Sequence, residues 1–291
     1  MPLIWGPVGG GESLPPGFWV GLGRRDRLYE GLRIFVRKLA EINPLVRLTI
    51  RRSQEIWAST PQTAERLERL GARSVRVHSS VLWPLAPAGM PLPASTPLRF
   101  LTVGRLLHWK GIHLGLMAFA RSGLVGAEYW IIGDGPEAVR LQKLAAQLGL
   151  GPEQVRFLGH LPQGEVLAQV QGADVLVHPS LHDSGAFVCL EAMALGRPVI
   201  CLDWGGPALQ VTDDTGMKIS VTDPSSTIER LSAAMVALGS SASLRQTLGA
   251  AGIDRVSQHF SPEQWDLFLS SLYGDEPSLS LQAAPPQHRL I

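Results

Sequence analysis

Residues 174–202 read DVLVHPSLHDSGAFVCLEAMALGRPVICL, and this stretch decides the fold class. An apolar run of strand length leads into a polar loop. A helical pattern then runs from about Gly185 to Gly196 and precedes a second apolar run. Two strands joined through a helix form a βαβ unit, whose right-handed crossover makes the strands parallel. One carboxylate, Glu191, lies inside the otherwise apolar helix, eight residues after Asp183 in the loop.

The same alternation recurs from about residue 97 onward and predicts a parallel α/β sheet covered by helices on both faces. The predicted strands are 98–103, 128–132, 155–158, 174–178, 198–202 and 217–221. Helical spacing lies between them, and three further helices are predicted at 225–238, 243–260 and 262–273. Six parallel strands with these crossovers make residues 98–273 a complete Rossmann-like domain.

Residues 1–83 predict a smaller α/β domain. Its predicted strands are 3–5, 55–59 and 75–77, and its predicted helices are 25–42, 44–54 and 61–70. A doubly wound sheet usually has five or six strands, so we expect this domain to be partial, or the chain to lack its beginning. The proline-rich residues 84–97 have the composition of a linker, and residues 274–291 that of a disordered tail.

Composition limits the class of protein. The chain has 291 residues, of which 45% are hydrophobic and 18% charged, and its net charge is +1. It can therefore bury a large core, and its total charge favours neither nucleic acid nor membrane. Cys189 and Cys201 lie in apolar patterns that predict buried free thiols and a reducing compartment. With no signal-peptide pattern and no apolar run of transmembrane length, we expect a cytoplasmic protein.

The helix start near Gly185 is a candidate anion site. Its first backbone N–H groups and the positive end of the helix dipole favour phosphate, and ligands of parallel sheets bind at this edge. Asp183 and Glu191 can accept hydrogen bonds from sugar hydroxyls beside such a phosphate. An ordinary helix capped by Asp183 or Ser184, with Glu191 partly solvated, is the alternative, and the residues alone leave it open.

Further glycine-bearing corners follow other strands of the same predicted sheet. Arg105 and Lys110 follow the first strand and can neutralise a diphosphate; the alternative is a solvated loop. Gly133 ends the second strand, and its surroundings lack the G-x-G-x-x-G spacing of a dinucleotide site, which disfavours a nicotinamide-dependent oxidoreductase. The pair Gly205–Gly206 precedes another helix. Together these corners predict a ligand site along one sheet edge.

The ordered motifs GRL-x-x-WKG, IIGDGPE, V-x-FLGHLP, HPS, the acid pair eight residues apart with LEAMA-x-G-x-PVI, and D-x-GGP resemble retaining glycosyltransferases of family 4. That resemblance covers about residues 97–272 and implies the GT-B architecture, with a nucleoside diphosphate sugar, UDP- or GDP-linked, as donor. It implies no metal and no cofactor. The donor-side positions that it implies are Arg105, Lys110, Gly133, Leu158, Gly159, Asp183, Gly185, Ala186, Phe187 and Glu191.

Within that resemblance, Arg105 and Lys110 hold the diphosphate, and Glu191 holds the ribose. Leu158 and Gly159 flank the base, and the Gly185, Ala186 and Phe187 backbone completes the phosphate site. Asp183 contacts the transferred sugar, so the catalytic set is Asp183, Arg105 and Lys110. The family usually has Glu where Asp183 stands and GFGL where this chain has SGAF, which leaves the identity of the sugar open.

The loop GPVGGGE, residues 6–12, follows the strand that in this family often leads to an acceptor-side histidine, and it contains no histidine. Gly9, Gly10 and Glu12 are the candidate acceptor-side residues, for a glycan or a lipid-linked acceptor. The alternative is a flexible glycine-rich turn. Because the first domain is short, a catalytically weak or inactive nucleotide-sugar-binding module is the alternative to an active transferase.

Residues 24–52 are locally basic, with nine Lys or Arg against three Asp or Glu, a net charge of +6. Leu28, Leu32, Phe35 and Leu39 add an apolar stripe at helical spacing. A basic amphipathic helix is typical of contact with an anionic membrane surface, here the inner face of the membrane. A core-packed helix with a solvated face is the alternative that remains open. The basic segment has no interleaved aromatic residues of the kind that stack on bases, so we expect no nucleic acid partner.

Overall fold

In the computed structural model, which describes residues 3–19, 22–84 and 97–273, two parallel β-sheets organise the chain. The strands are β1 (Leu3–Val8), β2 (Ser53–Ala58), β3 (Val75–Val77), β4 (Leu98–Val103), β5 (Ala127–Ile132), β6 (Val155–Gly159), β7 (Val175–His178), β8 (Val199–Leu202) and β9 (Gly216–Ile219). The helices are α1 (Arg24–Ile42), α2 (Pro44–Arg52), α3 (Pro61–Arg69), α4 (Ile112–Ser122), α5 (Ala138–Gln147), α6 (Gln163–Gln171), α7 (Phe187–Ala194), α8 (Pro207–Gln210), α9 (Pro224–Ser240), α10 (Ala242–His259) and α11 (Pro262–Tyr273). Two 3₁₀ turns, Pro16–Trp19 and His108–Lys110, complete the set.

The six-stranded sheet has the order β6-β5-β4-β7-β8-β9, and all its pairs are parallel. The chain moves outward from β4 through β5 to β6, then returns and moves outward the other way from β7. Strands β4 and β7 therefore flank the topological switch point, where open α/β sheets bind their ligands. The doubly wound sheet predicted for residues 98–273 is confirmed, with strand boundaries within two residues of the prediction.

The six-stranded sheet is buried on both faces. Strands β7 and β8 are buried at every position, because helices cover the two sides of the sheet. One apolar cluster packs under α4, α5 and α9, and another packs under α6, α7 and α10. Cys189 and Cys201 are both buried free thiols, as the sequence predicts, and burial raises the pKa of each.

The three-stranded sheet has the order β1-β2-β3, again all parallel. Strand β1 continues to Val8, so Gly6 and Pro7 belong to a strand rather than to the loop predicted at 6–12. The reason is pairing, since Val8 lies beside Ala58 of the buried strand β2. Proline is tolerated there because β1 is an edge strand. The loop itself is therefore confined to Gly9 through Glu12 and the residues that follow.

Two segments join the smaller sheet to the larger one. Leu14 and Phe18 pack into the apolar core of the six-stranded sheet. Helix α11 returns to the first sheet, where Trp265 and Phe268 contact Trp57 of β2 edge to face. The segment that contains Leu14 and Phe18 and helix α11 therefore each connect the two sheets. Of the predicted linker and tail, residues 85–96 and 274–291 lie outside the described residues.

Helix α1 turns its charged side toward the protein and its apolar side toward solvent. Glu30 is fully buried and pairs with Arg33 at 2.8 Å, while Arg37 donates to the Glu12 carbonyl oxygen at 2.9 Å. The exposed large hydrophobic side chains of α1, each 47–74% accessible, are Leu28, Tyr29, Leu32, Phe35, Val36, Leu39 and Ile42. This exposure argues against the interpretation in which the apolar stripe packs into the core.

None of the helices in residues 3–19, 22–84 and 97–273 combines the length and the apolar character needed to cross a bilayer.

Candidate functional site

The loops after β4 and β7 meet at the switch point and carry the charged residues that the sequence predicts. The 3₁₀ turn 108–110 follows β4 and presents Lys110, while Asp183 lies in the loop between β7 and α7. The Lys110 Nζ atom donates to Asp183 Oδ2 at 2.5 Å. These two side chains are separated by 73 residues in the chain and are brought together by the β4–β7 pairing.

His178, the last residue of β7, completes this charged cluster. Its Nε2 atom lies 3.1 Å from Asp183 Oδ2, the same oxygen that Lys110 contacts. Burial alone raises the pKa of Asp183, but the hydrogen bond from His178 and the charge of Lys110 outweigh it. The pKa of Asp183 is therefore held well below its usual range, and the carboxylate is charged at neutral pH.

The two loops are locked to each other through their backbones. Leu181 N donates to Trp109 O at 2.7 Å. Gly111 adopts a left-handed φ of 65°, and a β-carbon there would lie 1.9 Å from Pro179 O. Only glycine fits this approach, because the left-handed conformation is strained for other residues and a side chain would strike the carbonyl oxygen. The contact sets the distance between the Lys110 turn and the Asp183 loop.

The Asp183 carboxylate also occupies the start of α7. Its Oδ1 atom accepts from Gly185 N at 3.2 Å and Ala186 N at 3.0 Å. This differs from the expectation that these amides face a diphosphate. An aspartate placed two or three residues ahead reaches the unpaired N–H groups of a helix start, as an N-cap does. A role for Gly185 and Ala186 in phosphate binding stays a prediction, as does one for Phe187, whose side chain is exposed.

Within the described residues, Arg105 and Glu191 have no ionic partner, unlike Lys110 and Asp183. Arg105 is exposed directly after β4, and none of residues 3–19, 22–84 and 97–273 pairs with its guanidinium. Glu191 is half-buried in α7, one turn beyond the Asp183-capped end, and burial raises its pKa. No hydrogen bond to its carboxylate is made by any residue in the described ranges. The roles predicted for Arg105 with the diphosphate and for Glu191 with the ribose stay predictions.

The remaining predicted donor positions lie at the ends of β5 and β6. Gly133 N donates to Gly159 O at 2.7 Å, and Gly104 N donates to Ile132 O at 3.0 Å. Gly133 has a φ of 131°, and a β-carbon there would lie 2.0 Å from Gly104 O. The ends of β4, β5 and β6 are thus packed backbone against backbone. Leu158 is half-buried at the end of β6, beside Gly159.

The candidate acceptor-side loop reaches the same site from the other sheet. Gly9 and Gly10 are exposed, whereas Glu12 is fully buried. Thr60 Oγ1 donates to Glu12 Oε1 at 2.5 Å, and Ser184 Oγ donates to Glu12 Oε2 at 3.2 Å. Both carboxylate oxygens are therefore used inside the protein. The acceptor contact expected for Glu12 stays a prediction, and its observed contact is with the residue next to Asp183.

Sequence reasoning missed the histidines of this region. His178 belongs to the HPS motif but has no predicted role, and His108 stands at an unspecified position of GRL-x-x-WKG. In the structure, His108 Nδ1 lies 3.1 Å from Asp26 and Nε2 lies 3.2 Å from Glu30. These contacts join α1 to the Lys110 turn. A histidine at the carboxyl end of a strand, five residues before an aspartate, was the available signal for His178. Within the described residues no three His, Cys, Asp or Glu side chains group as a metal site would require.

A family model described as "Glycosyl transferases group 1" matches residues 91–255, which is 165 of the 291 residues of the chain. The chain belongs to this family. The group 1 glycosyl transferase fold agrees with the parallel sheets and the switch-point site described above, and the expected Rossmann-like GT-B architecture is confirmed.

Known relatives of this group 1 glycosyl transferase include the lipopolysaccharide core biosynthesis glycosyltransferase LpsE of Rhizobium meliloti (strain 1021). The two are 32% identical over 215 residues, covering 72% of this chain and 60% of LpsE. The chain therefore spans less than two thirds of that relative's length.

Solved structures give the same architecture. Sucrose-phosphate synthase (tll1590) from Thermosynechococcus elongatus superposes with a TM-score of 0.67 at 24% identity, covering 90% of this chain and 65% of that one. Anabaena Alr3699/HepE, whose structure is in complex with UDP and glucose, superposes with a TM-score of 0.64 at 20% identity. That match covers 93% of this chain and 72% of HepE. At these identities the similarity concerns the fold of the group 1 glycosyl transferase.

Proposed function

We propose that this chain binds a nucleoside diphosphate sugar, UDP- or GDP-linked, and transfers its sugar with retention of anomeric configuration to a glycan or lipid-linked acceptor. The observation that carries the proposal is the meeting of Lys110 and Asp183 at the switch point, beside the exposed Arg105. Family membership supports glycosyl transfer, and the UDP and glucose in the HepE structure support the donor class. The relative LpsE, named for lipopolysaccharide core biosynthesis, supports the acceptor class.

The charges at this edge suit the departure of a diphosphate. As the bond between the sugar C1 and the diphosphate oxygen breaks, negative charge gathers on the phosphate. Arg105 and Lys110 stabilise that charge without forming a covalent bond. The acceptor hydroxyl oxygen then bonds to C1, and its proton passes to the departing phosphate. Lys110 has three donors, so it can hold Asp183 and a phosphate oxygen at once.

Retention rests on the resemblance of the ordered motifs to family 4 enzymes. The anomeric configuration of the product, read from its ¹H NMR coupling constants, decides between retention and inversion. Asp183 serves here mainly to orient Lys110 and to cap α7, and its contact with the transferred sugar is the further role that we assign it.

A binding module without turnover is the second candidate. The chain spans 60% of LpsE, so the groups that complete an acceptor site in the relative need not all be present in this chain. Hydrolysis of UDP-glucose in the absence of acceptor separates the two candidates. A transferase is expected to release UDP slowly into water, whereas a binding module holds UDP-glucose intact.

Replacement of Glu191 by alanine is expected to weaken UDP binding by about 10- to 100-fold, because hydrogen bonds to a charged group contribute about 1.5–3 kcal/mol. Calorimetric titration of the full chain with UDP and GDP measures this change. Wild-type protein is also expected to bind 2′-deoxy-UDP more weakly than UDP, and the variant is expected to lose this discrimination.

Glu229 on α9 provides the matched control. Among the residues that the structure describes, its only charged contact is a long pair with Arg121, in which both side chains are more than half exposed. Glu229→Ala is expected to bind UDP like wild type. Absence of UDP and GDP binding by the wild-type chain would refute the donor site as a whole. Equal affinity of wild type and Glu191→Ala would remove Glu191 from it.

We further propose that the exposed face of α1 docks on an anionic membrane surface, which places the chain at the inner membrane face beside lipid-linked acceptors. Apolar side chains from Leu28 to Ile42 are exposed on this face. Exposed cations flank it, at Arg24, Arg25, Arg27 and Lys38 on α1 and at Arg47, Arg51 and Arg52 on α2. Apolar area combined with cations suits the headgroup region of anionic lipid.

Phe35→Ser is expected to lower binding to phosphatidylglycerol-containing vesicles by about tenfold, because burial of one large apolar side chain contributes about 1.5–3 kcal/mol. Co-sedimentation measures the bound fraction. Binding is expected to weaken in about 1 M salt, where the Debye length falls to about 3 Å. Val125→Ser, at a fully exposed position away from α1, is the control. Equal binding to phosphatidylcholine vesicles, or a concentration-dependent dimer that Phe35→Ser dissolves, would assign the face to a different partner.

A further inference from the structure

A single buried carboxylate, Glu12, joins the first sheet to the candidate donor site. It is completely inaccessible to solvent. Its Oε1 atom accepts from Thr60 at the start of α3, and its Oε2 atom accepts from Ser184 in the loop before α7. The two hydrogen bonds thus connect the first-sheet side, at Thr60, to the loop before α7, at Ser184. A carboxylate needs such donors when it is buried, since an unpaired one is strongly disfavoured.

The first-sheet side of this link is fixed. Gly11 N donates to Thr63 Oγ1 at 3.1 Å, and Thr63 Oγ1 lies 2.8 Å from Thr60 Oγ1. The Glu12 backbone oxygen accepts from Arg37 of α1 at 2.9 Å. Glu12 is therefore held on its own side by contacts with both α1 and α3.

The donor side of the link is the loop that holds the catalytic candidates. Ser184 directly follows Asp183, whose carbonyl oxygen accepts from Gly206 N at 2.8 Å. Gly205 packs closely against the same carbonyl. A β-carbon placed on Gly205 would lie 2.4 Å from the Asp183 carbonyl oxygen and 3.7 Å from Glu12 Cγ. Glu12 is thus one of the groups that position the backbone from which the Asp183 side chain reaches Lys110.

His182 is a second buried polar side chain at this junction, next to Glu12. Its Nδ1 atom lies 3.7 Å from Glu12 Oε2 and is buried with no hydrogen-bond partner among residues 3–19, 22–84 and 97–273. Burial lowers the pKa of His182, and the nearby Arg33 charge acts in the same direction. With His182 neutral, the donors to the Glu12 carboxylate in the described part of the chain are Thr60 and Ser184.

We propose that Glu12 is a positioning residue that sets the 182–186 loop, and with it the Asp183–Lys110 pair, from the acceptor-side sheet. This inference rests on the proposed function for its kinetic consequence, and on the hydrogen bonds above for its structural one. Through Glu12, the arrangement of the first sheet affects the geometry of the donor site, although Glu12 itself does not contact the donor. Donor affinity is accordingly expected to depend little on Glu12, and turnover to depend on it strongly.

Glu12→Gln keeps the size of the side chain but leaves one acceptor oxygen for two hydroxyl donors. Faster hydrogen exchange of the 182–187 amides is expected, together with a kcat for UDP-glucose turnover lowered about tenfold, while UDP affinity stays within about twofold. Ser184→Ala removes one hydroxyl from a half-buried loop position and is expected to reproduce these changes. The double variant is expected to add little to either single one. Glu68→Gln, at an exposed position on α3, is the matched control.

Unchanged exchange in both Glu12→Gln and Ser184→Ala would overturn the positioning role. So would non-coupled, additive effects of the two changes. If the wild-type chain binds no UDP or GDP, the proposed function fails on its own account. The exchange measurement still decides whether Glu12 holds the loop, because it needs no ligand. Should Glu12→Gln fail to fold, Ser184→Ala carries the same test from the other end of the hydrogen bond.

Discussion

Replacement of Lys110 by alanine is expected to weaken UDP binding by about 10- to 100-fold and to lower the rate of sugar transfer further. A charge-assisted contact with a phosphate contributes about 1.5–3 kcal/mol, and about 1.4 kcal/mol corresponds to a factor of ten. The Lys110 side chain is only 23% exposed and is oriented by Asp183, so it loses less conformational entropy on binding than a free surface lysine does. The added effect on rate follows because phosphate charge increases in the transition state.

Calorimetric titration with UDP and single-turnover kinetics with UDP-glucose separate these two effects. Lys143 on α5 is the matched control, since it is an exposed lysine and its replacement changes the net charge by the same amount. Lys143→Ala is expected to bind UDP like wild type. A Lys110→Ala protein with wild-type UDP affinity would mean that the diphosphate lies elsewhere, and the switch-point site would have to be abandoned.

Replacement of Asp183 by alanine is expected to lower the free energy of unfolding by about 3 kcal/mol at pH 7. Removal of one member of a largely buried ion pair leaves the other charge uncompensated, and costs of about 3–5 kcal/mol are typical. The lower end applies because Lys110 and Asp183 keep side-chain exposures of 23% and 14%. The change also removes the acceptor for His178 and for the Gly185 and Ala186 amides that precede α7.

The pH dependence of this effect has a defined sign. The pKa of Asp183 is lowered in the folded chain, so its contribution is fully present above the unfolded-state pKa of about 4. It is lost progressively as the pH falls below that value toward the folded-state pKa. Urea unfolding from pH 7 to pH 3 is expected to show the difference between wild type and Asp183→Ala shrinking.

Asp213 offers a control for that experiment, as an exposed aspartate in a turn before β9. Asp213→Ala is expected to change the free energy of unfolding by less than about 0.5 kcal/mol at any of these pH values. A stability difference for Asp183→Ala that stays constant down to pH 3 would contradict the charged role of the carboxylate. If Asp183→Ala instead loses UDP binding without losing stability, the role of Asp183 is limited to ligand binding.

The strands of the larger sheet were predictable because local periodicity specifies them. The run 98–103 is apolar over a strand length, and the structure places β4 at the same residues. Both faces of that sheet are buried, so a continuous apolar run leaves little choice of conformation. Strand β1 was predicted too short, because Gly6 and Pro7 read as loop residues when the neighbouring strand that pairs with them is not known.

The orientation of α1 was not predictable from its own residues. Periodicity shows that Leu28, Leu32 and Phe35 share one side, but it does not say which side meets the protein. The charged side faces inward because its partners arrive from distant segments, with His108 against Glu30 and the Glu12 carbonyl against Arg37. Contacts over separations of 25 to 78 residues carry no local signal.

The sequence by itself determined the parallel α/β class, the strands of the larger sheet and the residue types at its carboxyl edge, because side-chain periodicity and strand-to-helix corners are local properties. Only the tertiary structure decided that Lys110 and His178 converge on one Asp183 oxygen and that Glu12 is buried against Ser184. The physical reason is that the strand order determines which distant residues come close enough to form ion pairs and hydrogen bonds. The β4–β7 pairing joins segments that are far apart in the chain, and no local pattern encodes that order.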